Sequence, residues 1–380
     1  MKENNHQFDV TIIGGGLAGL ALAIQLGSKG YSIALCEKEE YPFHKVCGEY
    51  ISMESWNFIE SLGLPLSSMN LPLIKNLVVT APNGNKLTAK LPLGGFGISR
   101  YTIDEALKNI AVSHNVTVCE KCKVEDVIFE EEGFKIHTSC GDFTSKLCCG
   151  SYGKRSNLDI KWKRYFVSHK NNKLSNYVGV KYHIKTIFAD DTIALHNFKN
   201  GYCGISKIEG DKYCLCYLTN AANLKENDNS IEELEKNILR QNPHLKTILD
   251  GCEHLYPAPV TISQISFSHK TQVENHVLLL GDAAGSITPL CGNGMSMALH
   301  ASKIAALLIL DFLSEKYDRT TLEKNYQKQW KQLFAKRLFI GRMIQHLFGE
   351  KWVTNLFVQV MKLMPWVTRL LIKQTHGKPF

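Results

Sequence analysis

Residues 8–20 read FDVTIIGGGLAGL, a short apolar run that is followed by glycines and by a second apolar run. The first run is typical of a buried strand and Leu17–Leu26 of a helix, so we predict strand, tight turn and helix. In such a turn Gly14 permits the sharp bend, and Gly16 lets the backbone approach a pyrophosphate. Gly19 allows the helix to pack closely on the strand.

The next strand, Ser32–Cys36, ends directly before Glu37 and closes a βαβ unit of about 30 residues. A carboxylate at this strand end can accept hydrogen bonds from both hydroxyls of a ribose, while the N–H groups at the helix start face the phosphates. The pattern therefore predicts a bound dinucleotide. We also expect Ala18 and Lys38 to contact it.

A second buried run, His276–Leu280, ends in a glycine and an aspartate, and a new helix is predicted to begin near residue 294. The carboxyl edge of an open α/β sheet is where ligands bind, and a helix start can stabilise negative charge there. We therefore expect a ligand at this strand end. The motif at this strand end includes Gly281, Asp282, Pro289, Gly292, Asn293, Gly294 and Met295.

The rest of the pattern predicts an α/β nucleotide-binding domain with an inserted antiparallel sheet. Residues 77–91 alternate around a Pro-Asn-Gly turn, residues 160–220 alternate repeatedly, and the chain after Gly294 is helical almost to residue 380. We predict a discontinuous Rossmann-like domain, a substrate-binding sheet domain and a C-terminal helical, basic region. The Rossmann-like domain comprises residues 1–75, 98–160 and 268–315. The sheet domain comprises residues 76–97 and 161–267, and the helical region comprises residues 316–380.

Four motifs together resemble one flavoprotein family. GGGLAG with Glu37, and GDAAGSITPLCGNGMSMALHAS at 281–302, resemble the family of p-hydroxybenzoate hydroxylase, and within it the geranylgeranyl reductase-like branch. HKVCGE at 44–49 is similar to that branch's K-x-C-G segment, and RYTID at 100–104 to its R-x-x-F-D element. The resemblance covers about residues 8–310 and implies a noncovalently bound FAD.

By this resemblance Asp282 would hydrogen-bond the ribityl chain, and Pro289 with residues 292–295 would lie against the isoalloxazine. Lys45 and Arg100 would face the pyrophosphate or ribityl side, and Cys47 and Gly48 would also contact the cofactor. The electron donor would be NAD(P)H or a reduced carrier. One departure is that Tyr152 stands where the family motif G-A-D-G-x-x-S has an aspartate, which puts the usual handling of NADPH in doubt.

Three side chains are candidates for catalysis. A thiol at Cys47, beside a flavin, could protonate a substrate carbon or merely line the pocket. His44 could serve as an acid or base, or be structural. Tyr202, in a strand that weakly resembles the flavin-facing strand of the reductases, could form a pocket wall or pack in the core.

The resemblance favours a reductase that transfers hydride to a carbon–carbon double bond of a hydrophobic, isoprenoid or lipid-like substrate. The first alternative is a hydroxylase of aromatic or polyketide-like substrates that uses NAD(P)H and O₂, and the second is a flavin-binding protein without catalysis. A halogenase is the weakest reading, because the five tryptophans form no W-x-W pair.

Composition adds expectations about metals and location. The chain has twelve cysteines, and Cys119 and Cys122 form a CxxC, but no second pair stands at a spacing that suits zinc, so we expect packed thiols and no metal. The start has no signal-peptide pattern, and no uninterrupted apolar run reaches the roughly 18 residues that a spanning helix needs. We therefore expect a cytoplasmic protein.

The net charge of +8 is concentrated at one end of the chain. Residues 321–380 hold eleven Lys/Arg and two acids, or +9, which leaves −1 for the other 320 residues. A basic helical region with tryptophans could lie peripherally on an anionic membrane, or could form a cap over the substrate domain. No recognition motif for nucleic acid accompanies the charge. The oligomeric state is not predicted.

Overall fold

In the computed structural model, residues 6–168, 175–286, 292–347, 351–375 and 377–380 are described. The strands are β1 His6–Ile13, β2 Ile33–Cys36, β3 Tyr50–Ser52, β4 Leu73–Thr80, β5 Lys86–Gly97, β6 Thr117–Cys119, β7 Val124–Glu130, β8 Gly133–Thr138, β9 Gly141–Gly150, β10 Ser175–Lys185, β11 Thr192–Phe198, β12 Gly201–Ile208, β13 Lys212–Asn220, β14 Glu253–His254, β15 Val260–Ser266, β16 Val273–Glu274 and β17 Val277–Leu279.

The α-helices are α1 Leu17–Gly27, α2 Trp56–Ser61, α3 Arg100–Ser113, α4 Asn157–Lys161, α5 Tyr165–Ser168, α6 Ala221–Lys225, α7 Ile231–Asn237, α8 Pro243–Gly251, α9 Gly294–Leu313, α10 Arg319–Leu347, α11 Lys351–Leu363 and α12 Pro365–Thr375.

The first sheet has the order β16-β17-β9-β1-β2-β6, and β17, β9, β1, β2 and β6 run parallel. Ile13 is paired with Cys36 on one side and Gly150 on the other, so the strand that precedes the glycine turn lies inside the sheet. The carboxyl ends of β1, β2 and β17 therefore meet at one edge. Helix α1, which packs on α3 and α9, is buried on nearly all sides.

The second sheet has the order β14-β10-β13-β12-β11-β4-β5-β3, with β15 beside β10. Successive side chains along its strands point to opposite faces of the sheet, and each face packs against helices. Cys203 and Ile205 belong to an apolar cluster that includes residues of α7 and α8. Tyr202 and Leu218 point the other way, into a cluster that includes Val358 of α11. The predicted fold class, an α/β domain with an inserted antiparallel sheet and a C-terminal helical region, is confirmed.

Residues 231–251 form α7 and α8 with a 3₁₀ turn between them, and Pro243 begins α8, where a missing N–H breaks no helical hydrogen bond. One detail differs from the sequence prediction. Strand β3 pairs with β5 and so belongs to the second sheet, although it lies in the range 1–75 that we assigned to the nucleotide domain. The remaining domain boundaries stay predictions.

Helix α9 is long and apolar enough to cross a membrane by length and composition alone. More than half of its apolar stretch (56%) is buried within the protein, and it packs against α1 and α10. It is therefore a core helix of the fold.

Candidate active site

The glycine turn after β1 has the close contacts that the sequence predicted. Gly14 has φ +98°, and a Cβ there would lie 2.7 Å from the carbonyl oxygen of Ser151. A Cβ on Gly19 would lie 2.2 Å from the carbonyl oxygen of Gly14. Gly16 differs, because the nearest atom to a Cβ there is Nη2 of Arg100, at 3.5 Å. Gly14 and Gly19 therefore permit close packing, and Gly16 leaves an open approach to the backbone.

The N-terminus of α1 is available for an anion. Its N-cap, Gly16, has extended backbone angles, and no side chain caps the helix. The free N–H groups of a first helical turn, which here includes Ala18, carry the partial positive charge that attracts phosphates.

Glu37 lies directly beneath this turn and is buried. Its carboxylate accepts hydrogen bonds from the backbone N–H groups of Gly15 (2.9 Å) and Glu39 (3.1 Å). These bonds fix the carboxylate at the end of β2. Lys38 does not join it, because its side chain is 68% exposed and pairs with Glu39 in solvent. Tyr41, which sequence reasoning missed, donates its hydroxyl proton to the Gly15 carbonyl.

Two cations share one carboxylate beside the helix start. The Arg100 guanidinium donates to both oxygens of Asp104, at 2.8 and 2.6 Å. The Lys45 ammonium lies 3.0 Å from Asp104 and 3.4 Å from the Gly15 carbonyl oxygen. Burial acts to lower the pKa of Arg100, but the adjacent Asp104 carboxylate outweighs it and raises that pKa. Glu37 also lies 3.9 Å from the Lys45 ammonium, so two cations and two carboxylates stand beside the helix start.

The turn after β17 presents a carboxylate. Gly281 has φ +57°, in the left-handed region that favours glycine. The Asp282 side chain is 32% exposed, and its carboxylate lies 4.0 Å from the ammonium of Lys154. Lys270 is buried and donates to the Asp282 carbonyl oxygen at 2.8 Å, and burial lowers its pKa to about 8. Lys270 thus fixes the backbone of the turn, while the Asp282 carboxylate stays accessible.

The start of α9 meets the loop that contains Cys47. Gly292 has φ +63° and lies against the Tyr50 ring, Asn293 is buried, and Gly294 is the first residue of the helix. The Cys47 thiol lies 3.5 Å from the sulfur of Met295. The structure therefore brings together two motifs that are about 250 residues apart in the sequence. Pro289 lies outside the described residues.

One face of the second sheet covers residues 45–48. Lys181 donates to the carbonyl oxygen of Lys45 at 3.2 Å, the Cys214 thiol to that of Cys47 at 3.2 Å, and Ser206 to that of Gly48 at 3.5 Å. Each acceptor is a backbone group, so the loop is held in one path without using the Cys47 side chain. A Cβ on Gly48 would meet no atom within 4 Å.

Glu49 is the centre of a buried ionic network. It has no exposed surface, and its carboxylate binds the Lys181 ammonium, His183 Nε2 (2.6 Å) and the backbone N–H of Arg100 (2.8 Å). Burial acts to raise the pKa of Glu49, but Lys181 and His183 outweigh it and lower that pKa to about 2. Glu49, His183 and Cys214 are ligand types for a metal ion. Because Lys181 already neutralises the carboxylate, we interpret the cluster as an ion-pair network.

The other two catalytic candidates occupy different surroundings. His44 packs among the rings of Tyr101, His183 and Tyr256, with centroids 4.7–5.1 Å away, and burial lowers its pKa to about 4. It is therefore neutral at physiological pH. Tyr202 is buried in the apolar cluster between the second sheet and α11, where its ring packs in the core.

Tyr152, the residue that departs from the family motif, joins a second buried network. Its hydroxyl donates to Asp159 at 3.0 Å, and Arg164 donates to Asp159 at 2.8 Å and to the Ala283 carbonyl oxygen at 3.0 Å. The tyrosine thus helps to tie the end of β9 to the turn after β17. Sequence reasoning missed Asp159 and Arg164, and the contact that links them to the turn after β17, from Arg164 to the Ala283 carbonyl oxygen, spans 119 residues.

With this geometry in hand, comparison with known proteins decides the cofactor class. Residues 7–138 match the family model described as an FAD binding domain. The chain carries an FAD-binding domain. Two curated relatives align along most of the chain. Conditioned medium factor receptor 1 of Dictyostelium discoideum is 24% identical over 357 residues, which is 86% of this chain and 68% of the relative. A digeranylgeranylglycerophospholipid reductase of Methanococcus vannielii is 24% identical over 368 residues, 89% of this chain and 86% of the relative.

Solved structures show that the FAD-binding domain belongs to a fold shared by several activities. A geranylgeranyl bacteriochlorophyll reductase-like protein of Thermoplasma acidophilum has a TM-score of 0.78 at 17% identity, covering 99% of this chain and 97% of that one. A flavin-dependent brominase has a TM-score of 0.77 at 20% identity, covering 97% and 93%. These likenesses confirm the resemblance at the level of the fold.

The residues of the FAD-binding domain fit FAD. The uncapped start of α1 and the open approach to Gly16 suit the pyrophosphate, and the fixed carboxylate of Glu37 suits a ribose. At the other end of the same sheet edge, the accessible Asp282 carboxylate suits the hydroxyls of a ribityl chain. The two ends have the different donor and acceptor chemistry that one long cofactor requires.

Proposed function

We propose that the chain is an FAD-dependent oxidoreductase that reduces a carbon–carbon double bond in a hydrophobic, isoprenoid or lipid-like substrate. The observation that carries this proposal is the position of Cys47. Its thiol lies against Met295 at the start of α9, in a loop that the second sheet holds by backbone contacts alone. The thiol donates its proton to the Met295 sulfur, a weak acceptor, so this proton can be transferred to a substrate.

Bound FAD would supply the hydride chemistry, and the protein supplies orientation and a controlled environment. Cys47 would hold, at Sγ, the proton that completes addition to the double bond. The uncapped N-terminus of α9 would stabilise negative charge at this place. The second sheet covers one side of the loop, and Cys47 stays partly exposed.

The choice of an apolar substrate is supported by the digeranylgeranylglycerophospholipid reductase relative. On the same sheet face as Lys181 and His183, the side chains change from polar to apolar toward α11. The apolar ones are buried in the core between the sheet and α11.

Anaerobic turnover tests the proposal. Protein reduced by light is mixed, without O₂, with an isoprenoid lipid that carries double bonds, and mass spectrometry detects a gain of two hydrogens. The Cys47→Ser variant is expected to lose about 10²–10⁴-fold in kcat, the usual contribution of a general acid, while it retains FAD. Cys252→Ser, which changes a cysteine remote from this loop, is expected to keep full activity.

Other outcomes favour other functions. A product that contains oxygen and forms only with O₂ and NAD(P)H would contradict the reductase and indicate a hydroxylase. A halogenated product formed with O₂ and halide would point to the chemistry named for the structurally similar brominase. We propose NAD(P)H or a reduced carrier protein as the donor, and comparing NADH, NADPH and a reduced ferredoxin in the same assay decides between them. A protein that accepts no electrons would be a flavin-binding protein without catalysis.

We also propose that α11 and α12 lie peripherally on an anionic membrane. The segment 351–375 contains four basic residues and no acidic residue. It also exposes large hydrophobic side chains, namely Trp352, Leu356, Leu363, Trp366 and Leu370. Basic charge together with exposed tryptophan and leucine is the pattern of an interfacial helix. A lipid-like substrate would then reach the protein from the bilayer.

Co-sedimentation with vesicles tests this surface. Vesicles that contain phosphatidylglycerol are expected to bind the protein, and pure phosphatidylcholine vesicles to bind it weakly. Changing Lys362 and Lys373 to glutamine is expected to weaken binding about thirtyfold, at about 1 kcal/mol per charge. Ile187→Ser, which changes an exposed apolar residue outside these helices, is expected to have no effect. Equal binding to both kinds of vesicle would contradict the proposal.

A further inference from the structure

Three successive carbonyl oxygens in the turn after β17, those of residues 282–284, accept hydrogen bonds from side chains. The donors are, in that order, Lys270 at 2.8 Å, Arg164 at 3.0 Å and Gln272 at 3.2 Å. All three donors are buried, with exposed fractions of 2% to 3%. The carbonyl side of the turn therefore faces the protein interior, while the Asp282 carboxylate remains partly exposed.

Lys270 also joins this turn to the loop after β9. Its ammonium donates to the carbonyl oxygen of Lys154 at 3.2 Å, in addition to that of Asp282. Strands β9 and β17 are parallel neighbours, so the two loops emerge side by side at the sheet edge that we assign to FAD. The centroid of the Phe166 ring lies 4.6 Å from the same nitrogen. Lys270 thus holds both loops from the interior side of this edge.

The charge of Lys270 is balanced differently from that of the other cations at this edge. Arg164 donates to the Asp159 carboxylate at 2.8 Å, and the Lys154 ammonium lies 4.0 Å from the Asp282 carboxylate. Both printed acceptors of Lys270 are backbone carbonyls, and no carboxylate of the described residues pairs with it within 4 Å. The carboxylates of Asp282 and Asp159 act on it only from farther away.

The ammonium of Lys270 is nevertheless charged under ordinary conditions. Burial lowers its pKa to about 8, which still leaves the protonated form in excess at pH 7. The turn that we assign to the ribityl end of FAD therefore has, on its buried side, a positive charge that no ion pair neutralises. Such a charge is costly to bury, so it needs a compensating gain.

We propose that Lys270 is a positioning residue for FAD and that it raises the reduction potential of the bound flavin. Charge near the flavin is one of the means by which a protein tunes this cofactor. When flavin takes up two electrons and one proton from a donor, its neutral ring becomes an anion. A fixed positive charge nearby therefore stabilises the reduced form more than the oxidised form. Because this effect belongs to the FAD itself, it is independent of the substrate.

Gln272 distinguishes this role from simple support of the turn. Its neutral amide donates to the Ala284 carbonyl oxygen, and also to that of Lys270 at 2.7 Å. Removing Gln272 would loosen the same turn without removing a charge. If Lys270 only supported the turn, substitutions of the two residues would have the same effect on the flavin.

Redox titration of the purified FAD complex, without substrate, tests the proposal. The potential is measured anaerobically against reference dyes during reduction by dithionite. Lys270→Met is expected to shift the equilibrium about tenfold toward oxidised flavin, the effect of a unit charge over about 10 Å at an effective dielectric constant near 20. For a two-electron couple this is a potential lower by about 30 mV. Gln272→Leu is expected to keep the native potential, as is Lys236→Met, which removes an exposed lysine of α7.

FAD affinity provides the second measurement. Lys270→Met and Gln272→Leu are both expected to weaken FAD binding about tenfold, because each removes a hydrogen bond to the turn. Lys270→Gln keeps a donor for the Asp282 carbonyl oxygen and removes only the charge, so it is expected to retain FAD and to lower the potential as Lys270→Met does. A native potential in Lys270→Gln, or an equal fall in Gln272→Leu, would overturn the proposal.

Discussion

Replacing Glu49 by glutamine is expected to lower the free energy of unfolding by about 3–5 kcal/mol, the cost of leaving a buried charge without its partner. The carboxylate is fully buried between Lys181 and His183. Glutamine keeps the size of the side chain but removes the charge, so the ammonium of Lys181 would remain buried and uncompensated. Urea denaturation followed by circular dichroism measures the change.

Two controls separate charge from packing. The double variant Glu49→Gln with Lys181→Met removes both charges, and we expect it to recover much of the lost stability. Glu226→Gln breaks an exposed pair with Lys199 and is expected to change stability by less than about 1 kcal/mol. Equal losses for Glu226→Gln and Glu49→Gln would contradict the ionic network.

The loss of folding stability at low pH provides an independent check of the role of Glu49. The pKa of Glu49 is lowered to about 2 from its ordinary value near 4.5. A lowered folded-state pKa stabilises the protein above the unfolded-state value, and this contribution is lost as the pH falls from 4.5 toward 2. The Glu49→Gln variant should therefore lack this part of the acid-induced loss, measured as urea midpoints between pH 6 and pH 3.

Replacing Gly19 by alanine is expected to remove FAD binding at ordinary cofactor concentrations. The added Cβ would lie 2.2 Å from the Gly14 carbonyl oxygen and 2.4 Å from the Ser151 hydroxyl, so the turn or α1 must move. Overpacking of this kind costs about 1–3 kcal/mol, or a tenfold to hundredfold weakening if it falls on the bound state. Fluorescence titration with FAD measures the affinity.

Gly251→Ala is the matched control, since a Cβ at that residue would meet no atom within 4 Å. It is expected to leave both FAD affinity and stability unchanged. If Gly19→Ala bound FAD as tightly as Gly251→Ala does, the close packing of α1 on β1 would not matter for the cofactor.

The features that could be predicted from the sequence depend on local backbone chemistry. Gly14 and Gly19 indicate a turn and a close helix contact, because only glycine fits at these positions. Glu37 and Asp282 follow apolar runs that are typical of buried strands. The meeting of these elements at one sheet edge follows from parallel pairing, which the βαβ pattern indicates. The sequence therefore predicts the two strand ends at which we place the cofactor.

The features that could not be predicted depend on long-range pairing. Lys181 and His183 alternate along β10 like ordinary strand residues, and their role appears only because the second sheet lies on the loop that ends at Glu49. The expectation of ordinary packed cysteines considered only Cys119 and Cys122, whereas strand pairing brings Cys36 beside them. Tyr202, whose pattern allowed two readings, lies in an apolar cluster whose partner Val358 is more than 150 residues away.

The most direct test of the account is the absorbance spectrum of the purified, untagged protein, followed by denaturation and identification of the released cofactor. We predict a yellow protein that releases about one FAD per chain, and a large loss of flavin when Glu37 and Asp282 are both changed to alanine. A colourless protein that takes up no FAD on reconstitution, or flavin content that is unchanged in the double variant, would contradict the account.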